Sequence, residues 1–381
     1  MNKRFYLFLL SFALFLGCQK TELSEGVPAS SALTLELPGS AALALEWVRG
    51  MQAGNGLMES AEGTGFVSLY DNALAAILFT KTGHTAQARH IFDYFNNRLV
   101  SEFAQTGGGF YQFRHLSGSE PSHVWIGDNA WLLMALRHYR DTYADPTYDA
   151  LIGALDHWLR SMQDTDGSLF GGTNADGTLI PKVTEGMITA YQAVSGNDAF
   201  HERLLQYLQA NRWDETGSQL LAEDQPSRYA NALDLHSLPA LIWANTDLPF
   251  IETAEQFMTV QSHSVNGTPV SGYCFDRDLD VVWLEGTSQI ALAMAENGMT
   301  AGFRETLKHL EASLVPGQKN QDTLGLPYAA NQGSSYGAVS LWDHADRQAA
   351  LSSTVWFVFA HLQLNPFRMD EPAKPAPSPL S

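Results

Sequence analysis

The sequence predicts an all-α fold in which six helical hairpins close into a ring, an (α/α)6 toroid. Apolar residues recur at spacings of three or four, as at Leu132 and Leu136 or at Leu151 and Leu155, which is the period of a helix. Nearly apolar segments alternate with charged amphipathic ones, and short connections alternate with long ones. A helix that is apolar all round is buried, whereas an amphipathic helix has one face in solvent. We therefore expect an inner ring of apolar helices inside an outer ring of amphipathic helices.

Helical segments follow one another in pairs along the chain. Five hairpins are predicted, in chain order 67–81 with 85–103, 128–144 with 147–163, 185–195 with 198–210, 231–244 with 250–261, and 285–297 with 299–314. The last apolar segment, 350–363, has no helix after it, and the N-terminal segment 42–52 can supply its partner. That pairing would close a ring of six hairpins. An open stack of helix pairs is the alternative, but its repeats usually run shorter than about fifty residues.

The two helices of a hairpin differ in composition, and so do the two kinds of connection. First helices are nearly apolar (AWLLMAL, SQIALAM), and second helices carry the charges (HTAQARHIFDYFNNR). Turns within hairpins are short (KTGHT, YADPT, SGND, ENGMT), whereas the connections between hairpins are long: 104–127, 164–184, 211–230, 262–284 and 315–349. In a ring of hairpins all the long connections emerge at one end. Long loops on a rigid scaffold are where binding and catalytic residues concentrate, so we expect the functional site there.

An acidic residue lies at or near the first turn of five inner helices: Asp71, Asp128, Glu185, Asp234 and Glu285. Helix capping is a competing explanation for the three Asp residues, because Asp accepts backbone N–H bonds and favours the helix dipole. Glu is a poorer cap, and both Glu residues are followed by Gly, which permits close approach of a ligand. The ring predicts that the five carboxylates face one cavity.

Aromatic residues crowd the same junctions. Trp125 and Trp283 precede two of the acids, Trp342 lies in the last long loop, and Trp131, inside its helix, is expected in the core. Flat aromatic faces beside carboxylates suit a sugar, whose C–H faces are apolar and whose hydroxyls need hydrogen bonds. We therefore expect an oligo- or polysaccharide substrate, with binding contacts from Asp71, Asp234, Tyr70, His123, Trp125, Trp283, His236 and Trp342.

This architecture resembles the six-hairpin glycosidase superfamily, a set of (α/α)6 toroids that act on carbohydrates, over most of residues 39–367. The segment GDNAW at 127–131 is also similar to the Asp-Asp-x-Ala-Trp segment of bacterial endo-α-1,6-mannanases. Gly127 stands where the first of their two catalytic acids lies, so only Asp128 has a counterpart. The resemblance implies activity on a glycan and does not carry over the mannanase mechanism.

The leading hypothesis is glycoside hydrolysis by two carboxylates, one donating a proton to the leaving oxygen and the other activating water or attacking the sugar. Glu285 is the predicted acid, because the apolar neighbours Trp283 and Leu284 would raise its pKa. Asp128 is the predicted base, with Glu185 as its substitute. No metal or organic cofactor is expected. A sugar epimerase or a polysaccharide lyase on the same toroid, and a non-catalytic glycan-binding protein, remain alternatives.

The two ends of the chain are predicted to lie outside the ring domain, which spans 39–367. A basic start and an apolar run end in FLGC, which resembles the lipobox of bacterial lipoproteins, whose Cys (here Cys18) is lipidated. Residues 1–17 are thus a predicted signal peptide and 18–38 a tether, and Gln19 points to the outer membrane. A plain secretion signal or an uncleaved anchor is the alternative. Residues 368–381 are a predicted disordered tail.

Composition narrows the classes of partner. A formal charge of −19 disfavours nucleic acid, which is bound through clustered Lys and Arg. The chain has 2 cysteines, Cys18 and Cys274, so a lipidated protein has no pair for an internal disulfide and no CxxC metal site. We expect a monomer.

Overall fold

The computed structural model describes residues 37, 39–118, 122–214, 218–223 and 231–377. These residues belong to one compact unit, Leu35–Ser381. The predicted signal peptide and Cys18 lie outside the described residues, as does all of the predicted tether except residue 37. No helix in the described ranges is long and apolar enough to cross a membrane.

An inner ring of six helices forms the centre of the fold. These helices are α2 (Leu69–Lys81), α4 (Ile126–Tyr143), α6 (Thr184–Ala193), α8 (Asp234–Ile242), α10 (Leu284–Glu296) and α12 (Leu351–Leu362). Each packs against the next one in this order, and α12 packs against α2, which closes the ring. Their side chains are apolar on nearly every face because each helix is covered by two inner neighbours and one outer helix.

Outer helices cover the ring: α1 (Gly39–Gly50), α3 (Thr85–Asn96), α5 (Asp149–Ser161), α7 (Ala199–Asn211), α9 (Phe250–Ala254) and α11 (Thr300–Ala312). Five of them pack on the inner helix that precedes them in the chain, and α1 packs on α12. The N-terminal helix therefore completes the sixth hairpin. The predicted (α/α)6 ring is confirmed.

Short antiparallel strands connect the long loops at the end of the ring where the inner helices begin. They are β1 (Phe66–Ser68), β2 (Phe113–His115), β3 (Val124–Trp125), β4 (Gly172–Thr173), β5 (Leu179–Ile180), β6 (Trp213–Asp214), β7 (Gln219–Leu220), β8 (Met258–Ser262), β9 (Pro269–Tyr273), β10 (Val315–Pro316), β11 (Leu324–Gly325), β12 (Ser334–Tyr336) and β13 (Val339–Ser340). β3, β4 and β5 form one sheet, and the other strands pair as β1–β2, β6–β7, β8–β9, β10–β11 and β12–β13. The β1–β2 pair joins the loops before α2 and before α4, so one loop supports the next.

Two outer helices are shorter than predicted. The helix predicted at 250–261 is wrong after residue 257, because α9 is followed by a 3-10 turn, Glu255–Phe257, and then by β8. The alternating exposure of MTVQS along β8 has the period of a strand, and the strand pairs with β9. Similarly, α3 ends at Asn96, and Leu99–Phe103 forms a π-helical turn.

The C-terminal segment crosses the end of the ring opposite the long loops. Lys374 is buried there, and its Nζ donates to the carbonyl oxygens of Tyr191 (2.8 Å), Gln192 (3.0 Å) and Val194 at the end of α6. The carbonyl of Pro375 accepts hydrogen bonds from Tyr191 Oη and from Trp243 Nε1. The predicted disordered tail is therefore wrong for residues 368–377, because this proline-rich segment satisfies carbonyls that α6 leaves free. Residues 378–381 lie outside the described part of the chain.

Candidate active site

The first turns of the inner helices surround a cavity of about 930 Å³ at the long-loop end. Six acidic residues line it: Asp71, Asp128, Glu185, Glu223, Asp234 and Glu285. The structure thus brings the five carboxylates chosen from the sequence into one cavity. None of the lining residues within the described ranges is Lys, Arg or His.

Capping does not explain Asp71 or Asp128. Helix α2 is capped by Ser68, whose hydroxyl accepts the Asp71 backbone N–H at 3.5 Å. Asp128 does not cap α4 but accepts hydrogen bonds from the adjacent helix α2 and from the loop before α4. Its Oδ2 accepts the backbone N–H of Tyr70 and its Oδ1 accepts Gln112 Nε2, both at 3.3 Å. The Asp128 carboxylate is therefore held by the neighbouring inner helix and its loop.

Helix capping explains part of the role of Asp234. Its carboxylate accepts the backbone N–H of Leu235 at the start of α8, as a helix-terminal acid does. One oxygen of the same carboxylate, Oδ1, is buried and has no hydrogen-bond partner among the residues that the structure describes.

Glu285 accepts hydrogen bonds on both carboxylate oxygens. Tyr70 Oη donates to Oε1 at 2.7 Å, and Ser352 Oγ donates to Oε2 at 2.7 Å. Gln289 Nε2, one turn further along α10, is 3.4 Å from Oε1. The side chain is 96% buried, so these donors replace the water that a carboxylate would otherwise bind.

Glu185 occupies the space that a side chain at position 127 would fill. A Cβ on Gly127 would lie 2.9 Å from Glu185 Oε2 and 3.0 Å from Trp125 Nε1. The same indole N–H donates to Glu185 Oε2 at 3.4 Å, and Thr189 Oγ1 donates to Oε1 at 3.2 Å. A carboxylate from the next inner helix therefore lies beside Gly127.

The glycines after the two Glu residues serve packing and not ligand approach, contrary to the expectation from sequence. A Cβ on Gly186 would lie 2.4 Å from Ile126 Cγ2, and a Cβ on Gly286 would lie 2.2 Å from Trp283 Cε3. Such contacts are closer than any side chain tolerates, so these glycines let adjacent elements of the ring approach each other.

Burial dominates the electrostatics of the cavity. It raises the pKa of Asp71, Asp234 and Glu285 to about 7, and the charge of Glu285 adds to the effect on Asp71. The pKa of Asp128 lies well above its usual value because of burial and then because of the charge of Glu185. Burial also raises the pKa of Glu185 itself. Near neutral pH the cavity therefore holds both protonated and ionised carboxyl groups.

Aromatic rings form much of the remaining wall. Trp125, Trp283 and Trp342 line the cavity as predicted, and Trp131, expected only in the core, reaches it too. Trp342 is 47% exposed at the rim and packs on Tyr328, with ring centroids 4.6 Å apart. Exposed rings backed by a second ring offer rigid apolar faces to a ligand.

The structure contradicts the prediction that His236 contacts a substrate. His236 is fully buried on the outer side of α8, where its Nδ1 is 2.9 Å from Thr253 Oγ1 and its ring packs on Phe257. His123 does not line the cavity either. Its ring stands edge-on to Trp125 at 6.2 Å, so it supports a lining residue from behind.

The sequence interpretation missed several residues of the site, among them Ser352, Trp356, Gln112, Gln289 and Tyr328. Ser352 had a usable signal, since it occupies the first turn of α12, the one inner helix without an acid there. The other four lie in apolar helices or loops where nothing in the sequence distinguishes them.

A second acidic cluster lies near the cavity rim, after β9. Ligand atoms of Cys274, Asp278 and Asp280 lie within 4.8 Å of one another. The Ser334 Oγ lies within hydrogen-bond distance of both Asp278 Oδ2 (2.9 Å) and Asp280 Oδ2 (2.8 Å) and can donate its proton to either. These hydrogen bonds explain the cluster as the anchor of the β12–β13 loop.

No protein-family model and no curated protein sequence matches the chain. Among solved structures, a protein titled glycosidase is similar over 86% of this chain and 98% of its own, with a TM-score of 0.61 and 13% identity. An α-amylase from Clostridium perfringens is similar over 89% of this chain and 100% of its own (TM-score 0.58, 10% identity). Cellobiose 2-epimerase from Bacillus thermoamylovorans is similar over 84% and 97% (TM-score 0.55, 10% identity). The chain therefore has the (α/α)6 fold that these proteins share, and at such low identity the likeness concerns the fold alone.

Proposed function

We propose that the protein is a glycoside hydrolase that cleaves an oligo- or polysaccharide with two carboxylates. The observation that carries the proposal is that Asp128 and Glu285 face one aromatic-walled cavity from opposite inner helices, α4 and α10. Two carboxyl groups in different protonation states on either side of a sugar are what glycoside hydrolysis requires. A glycosidase and an α-amylase are among the proteins that share this fold, so the fold is compatible with this class of reaction.

Glu285 is the base in this proposal and Asp128 the acid, which reverses the roles expected from the sequence. Two hydroxyl donors favour the ionised form of Glu285, whose pKa is about 7, whereas the charge of the neighbouring Glu185 favours the protonated form of Asp128. In the proposed assignment Glu285 is the carboxyl group that ionises first as the pH rises. Asp128 keeps its proton because it is buried beside Glu185, whose negative charge opposes a second charge.

The other cavity residues provide substrate contacts. Asp71 and Asp234 can bind sugar hydroxyls, and the rings of Trp125, Trp283 and Trp342 can stack on the apolar faces of sugar units. A hydrolase fits the lining better than an epimerase or a lyase does. Proton transfer at a sugar carbon by a pair of histidines, or neutralisation of a uronate by a cation, would need side chains that the described part of the wall does not supply.

We also propose that the enzyme is anchored to the outer membrane through a lipid on Cys18. The support is the FLGC segment and the following Gln19 in the sequence.

A panel of glycans with product analysis tests the proposed reaction. New reducing ends would indicate hydrolysis, whereas an unsaturated product, an isomerised sugar or retention without turnover would contradict it. The active substrate is then used with Glu285→Gln and Asp128→Asn, each expected to lower kcat by about 10²–10⁴-fold. Glu202→Gln, on the exposed face of α7, is the matched control and should leave kcat unchanged.

The pH dependence tests the assignment of roles. Activity should rise as Glu285 ionises near pH 7 and fall at higher pH as Asp128 loses its proton. Glu185→Gln should move the alkaline limb to lower pH, because it removes the charge that holds the Asp128 proton. If Glu185→Gln abolishes turnover at every pH instead, Glu185 is the acid.

A further inference from the structure

A chain of three hydrogen bonds connects helix α12 to Glu285 and back to α12. Trp356 Nε1 donates to Tyr70 Oη at 2.7 Å, Tyr70 Oη donates to Glu285 Oε1 at 2.7 Å, and Ser352 Oγ donates to Glu285 Oε2 at 2.7 Å. Trp356 and Ser352 are four residues apart on α12 and therefore share one face of that helix. The chain passes through three inner helices, α12, α2 and α10.

The indole of Trp356 fixes the direction in which the Tyr70 proton points. An indole N–H can donate but not accept, so the Tyr70 oxygen must be the acceptor of that bond. The phenolic proton is then free to point to Glu285, and it holds Glu285 as an acceptor. Trp356 itself is fully buried and is held edge-on by Trp131 (5.9 Å) and Phe359 (5.5 Å), so its N–H cannot turn away.

Tyr70 reaches both carboxylates of the proposed catalytic pair. Its hydroxyl bonds Glu285, and its backbone N–H donates to Asp128 Oδ2 at 3.3 Å. Its ring stands edge-on to Trp131 at 5.5 Å, which restricts rotation of the side chain. The hydroxyl that the sequence suggested as a sugar contact is therefore occupied within the protein.

We propose that Tyr70 is a positioning residue whose hydroxyl, oriented by Trp356, holds Glu285 ionised and aimed into the cavity. Trp356 acts through Tyr70 and touches no substrate. The inference rests on the proposed function only for the role of Glu285 as base. The hydrogen-bond chain and its effect on the Glu285 proton stand independently of any substrate.

Other titratable groups besides Tyr70 lie close enough to Glu285 to interact with its charge. They are Asp71 on α2, Asp234 on α8 and Tyr328 on the loop before α12, in addition to Tyr70. The charge of Glu285 raises the pKa of each of these groups, and burial raises the pKa of Glu285 itself. The two hydroxyl donors act in the opposite direction, so removing one of them should raise the pKa of Glu285.

The experiment compares Tyr70→Phe, Trp356→Phe and the double variant. Loss of a hydrogen bond to the ionised carboxylate should raise the pKa of Glu285 by about one to two units in Tyr70→Phe. The acid limb of the kcat profile then moves to higher pH by that amount, so the loss of kcat is large at pH 6 and smaller at pH 8, with KM little changed. Trp356→Phe should give a smaller shift of the same sign.

The double variant decides whether Trp356 acts through Tyr70. If it does, Trp356→Phe adds no further shift once the Tyr70 hydroxyl is gone. Equal shifts from Trp356→Phe in both backgrounds, or an unmoved acid limb in Tyr70→Phe, would overturn the proposal. Tyr148→Phe is the matched control, because it removes a 2.7 Å hydroxyl bond to the carboxylate of Asp93 outside the cavity and should leave the profile unchanged.

A measurement without substrate separates this proposal from the proposed function. The carboxyl carbon of Glu285 can be titrated by NMR in the ¹³C-labelled protein, with Glu285→Gln to assign its signal. A raised Glu285 pKa in Tyr70→Phe supports the positioning role even if no glycan in the panel is cleaved. An unchanged pKa refutes it even if hydrolysis is found. Should Tyr70→Phe fail to fold, Ser352→Ala and Trp356→Phe carry the same titration.

Discussion

Replacing Glu285 with Gln should stabilise the folded protein at alkaline pH while it lowers kcat. The carboxyl group is fully inside the cavity wall, and burial raises its pKa from 4.5 to about 7. The folded protein therefore binds this proton more tightly than the unfolded chain does. The stability that the proton contributes is complete below pH 4.5 and is lost as the pH rises from 4.5 to 7.

The size of the effect follows from the shift in pKa. From 4.5 to about 7 is about 2.5 units, and each unit corresponds to about 1.4 kcal/mol, so the ionised carboxylate costs roughly 3 kcal/mol above pH 7. A Gln side chain has no such cost. Its amide nitrogen must, however, face one of the two hydroxyls that now donate to Glu285, a loss of about 1 kcal/mol.

Urea unfolding followed by circular dichroism at pH 4 and pH 8 measures the free energy of unfolding of the variant and of the unmodified protein. We expect Glu285→Gln to be more stable than the unmodified protein by about 2 kcal/mol at pH 8 and less stable by about 1 kcal/mol at pH 4. Glu202→Gln, on the exposed face of α7, should change stability by only a few tenths of a kcal/mol at both pH values. If the variant is equally destabilised at both pH values, the claim that the ionised Glu285 carboxylate destabilises the folded protein is refuted.

Three further changes test other parts of the molecule. Gly127→Ala should leave the fold intact, because Gly127 lies in a helix, where Ala is favoured. It should nevertheless lower kcat at least 10-fold, because the added methyl group displaces Glu185. Full activity of this variant would contradict the predicted displacement of Glu185. Lys374→Ala should lower the free energy of unfolding by about 1–3 kcal/mol, because the carbonyls at the end of α6 lose a buried donor, and an unchanged urea midpoint would show that the C-terminal segment does not stabilise the ring. Cys18→Ser should release the protein from the membrane fraction with its circular dichroism unchanged, whereas a variant that still pellets with outer membranes has another anchor.

Much of the ring could be predicted from local patterns. The alternation of apolar and amphipathic helices depends on which faces are buried. Buried faces consist of apolar residues and exposed faces of polar ones, so the sequence of each helix shows which of its faces are buried. The position of an acid in the first turn of an inner helix is equally local, because all the inner helices begin at the same end of the ring. The cavity with Asp71, Asp128, Glu185, Asp234 and Glu285 follows from these two facts.

The histidines show where the same reasoning fails. His236 lies two residues after Asp234, and successive residues turn by about 100° around a helix, so the two side chains point about 200° apart. Asp234 enters the cavity and His236 therefore faces α9. Proximity in sequence to a site residue did not imply proximity to the site.

The sequence by itself determined that this protein is a ring of helical hairpins with acids and aromatic rings at one end. Only the tertiary structure decided what those acids can do. Tyr70 and Glu285 are 215 residues apart, and Tyr70 and Trp356 are 286 apart, so no local pattern could pair them. Their contact exists because α12 returns to pack between α10 and α2 and closes the ring. The protonation of a buried carboxyl depends on such long-range neighbours, because the nearest donors and charges replace the solvent around a buried group.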